Sequence, residues 1–388
     1  MFGRFFRTTP LAWLQMSSRK ARLLAAIAGI GFADFLMFFQ LGVRDALFDS
    51  QVSPYTSLEG DIFLVNQLSD NLASVKTFPR NELYRAAGVR GVDAISPLYI
   101  GQAAWRNPDN RASRQIFVYG IDPQRPAFDA PEVTQQLDQL KLLNRALYDR
   151  GGLSQLGDVA GLLETNPQLS VQVNDLEIEI VGLFLLGSSF SAEGNIVTSD
   201  STFLRLFPQR SAGEIDVGII QVADKTTIAD VQESLRSVLS DDLLVLTLEE
   251  FATRERLYWE TGSAIGFTFG LGVVVGFLVG AVIVYQILYT EVADHLPEYA
   301  TLKAIGYSDR YFIMLITQEA IMLAILGFLP GFLLASGLYS LFRSATLLPI
   351  GMKASRAMMV LFLTIVMCVG AGVVATRKLQ AADPADIF

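Results

Sequence analysis

The chain has 388 residues, 51% of them hydrophobic and only 18% charged, where soluble domains carry roughly 25% charged residues. Its net charge is −9 and it holds one histidine, His295, and one cysteine, Cys368. That inventory excludes H-E-x-x-H zinc sites, Ser-His-Asp and Cys-His nucleophile systems and a disulfide-stapled domain, and the acid excess argues against a nucleic-acid partner.

Residues 1–22 carry Arg4, Arg7, Arg19, Lys20 and Arg22 and no acid, so the positive-inside rule places them in the cytoplasm. Within them Pro10–Met16 (PLAWLQM) reads either as a helix lying in the membrane interface or as a lead-in to the first span. The first apolar stretch, Leu23–Leu47, is long enough to cross a hydrocarbon core of about 30 Å. It exceeds the apolar core of a signal peptide, lacks a small-residue cleavage site, and is expected to be retained. Asp34 sits eleven residues into it, about 16 Å along a helix axis at 1.5 Å per residue. A carboxylate at that depth reads as an inter-helix hydrogen bond or a proton relay.

Residues 49–258 form a polar insert, acidic as a whole: positions 49–260 hold 17 Lys/Arg against 30 Asp/Glu. Its composition alternates β-branched runs with 3.6-period segments, so its fold class is α+β. The first unit reads as strand Gly60–Asn66, helix Pro79–Val89 and strand Asp93–Arg106. The last reads as strand Glu214–Val222, helix Thr227–Leu239 and strand Leu243–Phe251. These look like two halves of one subdomain, 49–106 and 206–258, interrupted by an inserted subdomain at 107–205. The interruption reads as strand 113–122, a helix over Glu132–Asp149, a strand pair over Val171–Phe184 with a tight turn at Asn174–Asp175, and exposed aromatic segments such as Ser188–Phe190.

The second span, 259–290, contains an uncharged run with two glycine ladders, Gly262, Gly266, Gly270 and Gly272, Gly276, Gly280. Glycine costs about 1 kcal/mol in a soluble helix, whereas small residues four apart let helices touch in lipid. The ladders therefore read as helix-packing faces. The loop 291–310 contains a short amphipathic helix with Pro297 near its start, Tyr299, Leu302 and Ile305 on one side, and Gly306 closing it. The third span, 311–342, carries the buried-polar candidate Glu319 and the break GFLPGF around Pro330. A loop at 343–356 holds Arg343, Lys353 and Arg356 on the expected outer side, against the rule, with Arg356 placed to snorkel. The last span is 357–376, and the tail 377–388 returns to the cytoplasm with Arg377 and Lys378. The architecture is thus a membrane α-helical protein of four transmembrane helices with a large α+β extracytoplasmic insert between spans 1 and 2.

No G-x-x-x-x-G-K-[ST] loop occurs, so nucleotide is not bound here in that manner, and the work of the chain has to be driven by a partner. The order of one span, an insert and three spans, the segment EYATLKAIGY (Glu298–Tyr307) followed by QEA (Gln318–Ala320), the closing RKLQAADPADIF (Arg377–Phe388) and the opening PLAWLQM with GIGFADFLMFFQLG (Gly29–Gly42) resemble the MacB/FtsX superfamily of permeases, and within it the DevC-type permeases of cyanobacteria. That resemblance implies a non-catalytic, homodimeric subunit that recruits a separate ABC ATPase, which binds ATP and Mg. It also implies a periplasmic membrane-fusion adaptor, an outer-membrane channel and mechanotransmission, with glycolipid as the family's suggested cargo. It places Asp294, Glu298, Tyr299, Leu302 and Lys303 against the ATPase. An FtsX-like regulator of cell-wall hydrolases and a lipoprotein-releasing permease share the layout.

Overall fold

The computed structural model describes residues 13, 16, 19–71, 74–125, 127–166, 168–187, 189, 192–346 and 348–381. The segments Pro10–Met16, Ser188–Phe190 and Arg377–Phe388 lie mostly outside the described residues or their described side chains. The chain divides into two compact units, Met1–Asp45 with Ala264–Ser344 and Ile350–Phe388, and Ala46–Ser263 with Ala345–Pro349.

Helix α1 runs Lys20–Thr56, well past the expected end of the first span. In the insert, β1 (Ile62–Asn66), β2 (Phe78–Pro79), α2 (Arg80–Ala87) and β3 (Val92–Arg106) are followed by β4 (Ser113–Ile121) and β5 (Arg145–Asp149). Then come α3 (Val159–Thr165), β6 (Leu169–Val173), β7 (Leu176–Phe184), β8 (Asn195–Ser199) and α4 (Asp200–Leu206). The insert closes with β9 (Glu214–Ile215), β10 (Val217–Val222), α5 (Ile228–Val238), β11 (Leu243–Thr247) and α6 (Leu248–Leu257). Helices α7 (Ala264–Asp294), α8 (Leu296–Ala304), α9 (Asp309–Thr346) and α10 (Ala354–Ala381) complete the chain.

Among the described residues, four segments are long and apolar enough to cross a membrane: Lys20–Val52, Ala264–Asp294, Arg310–Ser344 and Ala354–Thr376. Their shared core joins Ala26 and Ile30 of α1, Val284 and Leu288 of α7, Ala320 and Ala324 of α9, and Met367 and Ala371 of α10. Outward from it stand Phe267, Leu271, Val282, Leu333 and Phe362. Apolar side chains turned outward suit lipid, where association of spans depends on close packing.

The insert is built on one nine-stranded sheet in the order β11-β1-β10-β3-β4-β8-β5-β7-β6, with a further bridge from β6 back to β3 at Trp105↔Val173. The six strands from β3 to β6 therefore close into a barrel, while β11, β1 and β10 continue the sheet beyond it. Strand β3, fifteen residues long, serves both parts: Val92–Leu98 pairs with β10 and Leu98–Arg106 with β4. Trp105 fills the barrel beside Tyr148, ring centroids 5.2 Å apart, and its indole N–H donates to the Leu156 carbonyl at 3.0 Å. Asn174, at φ +51°, makes the expected turn between β6 and β7.

Two expected elements differ. Glu132–Asp149 is not a helix: Pro131–Thr134 and Leu137–Leu140 are single turns, and Arg145–Asp149 is β5, inserted between β7 and β8. Its apolar spacing fits a helix, and pairing on both edges overrides that local signal. The strand expected to reach Phe251 stops at Thr247, whose hydroxyl accepts from the Glu250 N–H while the Glu250 carboxylate accepts from the Thr247 N–H. That reciprocal cap starts α6. The stretch 107–205 supplies β4–β8 to the common sheet, so it is joined to 49–106 along the whole of β3's distal half.

Candidate coupling site

Helix α7 ends at Asp294, and His295 breaks the run with φ −94° and ψ 7° before α8 begins with Pro297 in its first turn. Proline has no N–H to lose there. The far end is closed by Gly306 at φ +109°, with its N–H donating to the Lys303 carbonyl at 3.0 Å and the Tyr307 N–H to the Leu302 carbonyl at 3.1 Å. That left-handed position is open to glycine at little steric cost, so the chain can reverse sharply into α9.

Side chains then sort by face. Tyr299 is buried against Val292, Phe312, Leu315 and Ile316, with the Tyr299 and Phe312 rings 5.5 Å apart. It anchors α8 to its neighbours instead of facing a partner, which corrects its expected place on the ATPase side. Asp294 is also engaged, paired with Arg19 and, at 2.6 Å, with Arg22. Leu302 and Lys303 are half-buried. The exposed rim consists of Glu298, Thr301, Ala304, Ile305 and Tyr307, with Ile305 72% exposed. Ile305 and Tyr307 are large apolar groups on a tight turn, and this outcome follows from the Gly306 reversal more than from helical periodicity.

Beneath the rim is a charged cluster. Arg22 of α1 bonds Glu291 at 3.0 Å as well as Asp294, and His295 lies 3.5 Å from Glu291 through Nε2 and 3.0 Å from Glu298 through Nδ1. Glu319 of α9 is 1% exposed, and its Oε1 has no hydrogen-bond partner. Glu291 and Glu319 line a cavity of about 20 Å³ with Arg19, Arg22, Leu23, Leu288 and Leu323.

Elsewhere in the helical unit, the Thr364 hydroxyl lies 2.6 Å from Asp34 Oδ1, so the buried carboxylate of α1 joins α10. Gly331 permits this approach, since a Cβ there would lie 2.8 Å from the Asp34 Cβ. The glycine ladders separate. Gly272, Gly276 and Gly280 pack inside the chain, where added Cβ atoms would meet Gln40 Cδ at 2.5 Å, Met37 Cγ at 3.4 Å and Ala33 Cβ at 2.7 Å. Gly270 faces open space, Gly266 is buried, and Gly262 lies in the π turn Tyr258–Gly262 before α7, outside the helix that was expected to include it. Arg356, expected to snorkel, is turned inward instead: it is 4% exposed, bonds Asp45 of α1 at 2.7 Å and the Gly351 carbonyl at 2.9 Å, and lies over the Tyr339 ring. Arg343 donates to the Ile350 carbonyl at 2.7 Å. Sequence reasoning missed the pairs Arg22–Glu291 and Asp45–Arg356, whose partners stand hundreds of positions apart.

Residues 260–384 match the family model described as FtsX-like permease C-terminal. Uncharacterised ABC transporter permeases of Mycobacterium tuberculosis, strains CDC 1551 and H37Rv, are each 22% identical over 375 residues, covering 96% of this chain and 97% of the relative. Among solved structures, the periplasmic region of MacB from Actinobacillus actinomycetemcomitans is 14% identical with a TM-score of 0.34, over 49% of this chain and 89% of that one. The extracellular domain of the noncanonical ABC-type transporter YknZ from Gram-positive bacteria is 13% identical with a TM-score of 0.34, over 48% and 99%. The C-terminal part of the chain is thus similar to FtsX-like permeases, and its full length is similar to proteins named as ABC transporter permeases.

Proposed function

We propose that the chain is the non-catalytic membrane subunit of an ABC exporter in which α8 and the turn after it receive the push of a separate ATPase on the cytoplasmic side. The observation that carries this reading is the division of α8 into a buried anchor, Tyr299, and an exposed rim of Glu298, Thr301, Ile305 and Tyr307. An exposed apolar group on a rigid turn is costly unless something covers it, and the rim is of the size of a hot-spot cluster. The ATPase supplies ATP and Mg chemistry. Two copies of the permease working with two ATPase subunits, a periplasmic adaptor and an outer-membrane channel complete the tripartite, DevC-type reading, with glycolipid as the cargo class. The sequence resemblance at the first span and the tail supports that finer assignment.

Ile305→Asp is expected to abolish co-purification of the ATPase in mild detergent while leaving the permease in the membrane fraction. Leu302→Asp, half-buried, should weaken it less. Retention of the ATPase by Ile305→Asp would remove the rim from the interface. Co-purification of a hydrolase activator in place of an adaptor would replace export by the regulatory reading.

A further inference from the structure

Two carboxylate oxygens of residues lining one small cavity, Glu319 Oε1 and Glu291 Oε1, lack hydrogen-bond partners, and so does His295 Nε2, which lies beside the cavity 3.5 Å from Glu291 Oε1. Their residues come from α9, the end of α7 and the break before α8, and all three are at least nine-tenths buried. Leaving such groups unmet is costly in a buried place, and a guest that meets them relieves the cost. The cavity lined by Glu291 and Glu319 measures about 20 Å³, and a site of roughly 10–15 Å³ already accepts one water if it offers two to four polar partners. The Arg19 and Arg22 guanidiniums that line the same cavity are held by Asp294 and Glu291, which argues against a metal cation as the guest.

We propose that this cavity holds a water molecule that connects Glu319 to a proton route ending at the exposed Glu298. The links beyond the water are on the structure: Glu291 Oε1 to His295 Nε2 at 3.5 Å, and His295 Nδ1 to Glu298 Oε2 at 3.0 Å. The Glu298 side chain is 64% exposed. In the outward step the Glu319 O–H bond breaks and its proton passes to the water, which gives one of its own to Glu291. Glu291 passes a proton to His295 Nε2, and the proton on Nδ1 leaves for Glu298 and then for solvent. Glu319 ends as a carboxylate, the water and Glu291 return to their starting forms, and His295 ends as the Nε2–H tautomer, which a flip of the ring must reset before the next proton passes. The charged groups that face the route are Arg19 and Arg22 of α1, Asp294 beside Glu291, and the route's own Glu291, His295, Glu298 and Glu319. Because His295 is the break between α7 and α8, a displacement of α8 would lengthen the links on both sides of the imidazole. The exchange of the Glu319 proton would then report the position of α8, whether or not α8 docks an ATPase.

The test is infrared difference spectroscopy on the full chain in lipid nanodiscs during transfer from H2O to D2O. The carboxyl band removed by Glu319→Gln identifies Glu319, and in the unaltered protein it is expected to shift promptly on exchange. In His295→Phe the shift should slow by an order of magnitude or more. Leu323→Phe, which fills the cavity from its apolar side and leaves all titratable groups in place, should slow it likewise. A band that shifts equally fast in both variants would overturn the route, as would the absence of any carboxyl band sensitive to Glu319→Gln. Should His295→Phe not fold, the Leu323→Phe result alone decides.

Discussion

Asp149 places a single buried carboxylate under the N–H groups of Gly151, Leu186 and Gly187 and the side-chain amide of Asn195, at 2.7–2.9 Å. It fastens the loop after β7 to the end of β5, and removing it takes the acceptor from the buried Gly151 N–H and from the half-buried N–H groups of Leu186 and Gly187. Asp149→Ala is expected to destabilise the insert by about 3 kcal/mol or more, the scale for a hydrogen bond to a charged group plus unmet donors, seen as a lowered unfolding temperature of the full protein in detergent. Glu250 gives a pH-dependent counterpart. The Thr247 N–H holds its carboxyl below the ordinary glutamate range. A depressed folded value contributes stability above the unfolded value, and that stability is lost as pH falls through the folded one. Glu250→Gln should therefore reduce the acid-side slope of stability below about pH 5 and leave the neutral-pH slope unchanged; an identical acid limb in both proteins would sink this. Asp216 opposes it: burial pushes its carboxyl up despite Arg210 at 2.6 Å. Single residues thus pull the insert's pH response in two directions.

At the scale of elements, Asp45 and Arg356 join α1 to the start of α10, and Arg44 sits 3.0 Å from the same aspartate. The Tyr339 hydroxyl of α9 donates to the Phe38 carbonyl, so three helices meet at this end. Breaking a buried pair by deleting one partner costs about 3–5 kcal/mol because the other charge stays behind. Arg356→Ala is expected to lower thermal stability in detergent by several degrees, and the double exchange Asp45→Arg with Arg356→Asp should recover part of the loss. No recovery would show that position, not charge, matters. The ladder glycines belong to this scale as well. In a Cys368→Ser background Gly270→Cys, which faces open space, should form oxidant-induced dimers, whereas Gly276→Cys, against Met37, should not. Cross-linking at Gly276 and none at Gly270 would place the seam on the wrong face.

For the whole molecule, the continuous sheet decides what can be removed. Deleting 107–205 would take β4–β8 from the sheet and leave Leu98–Arg106 of β3 without the strand that pairs with it. An unpaired edge of that length exposes backbone donors and acceptors and invites aggregation. The deletion joined by a Gly/Ser linker is expected to yield aggregated or degraded protein, and monodisperse full-yield protein would show that the basal strands form an independent fold.

The four spans, the α+β insert between the first two, the strands of the flanking units and the Gly306 reversal were all legible from the chain alone. Each depends on local chemistry: uninterrupted apolar length, two-residue alternation, or a backbone angle that glycine reaches easily. Even the start of α6 is written in Thr247 and Glu250, a capping pair that follows an alternating run without a break. Tertiary structure decided what local pattern cannot encode. Arg145–Asp149 became a strand because two neighbours paired with it, Tyr299 turned inward because Phe312 and Leu315 came to meet it, and Gly272, Gly276 and Gly280 turned toward their own chain. The ion pairs of Arg22 and Arg356 link positions 269 and 311 residues apart. A charge shows in sequence, but its partner appears only when the chain has brought both into the same low-dielectric place.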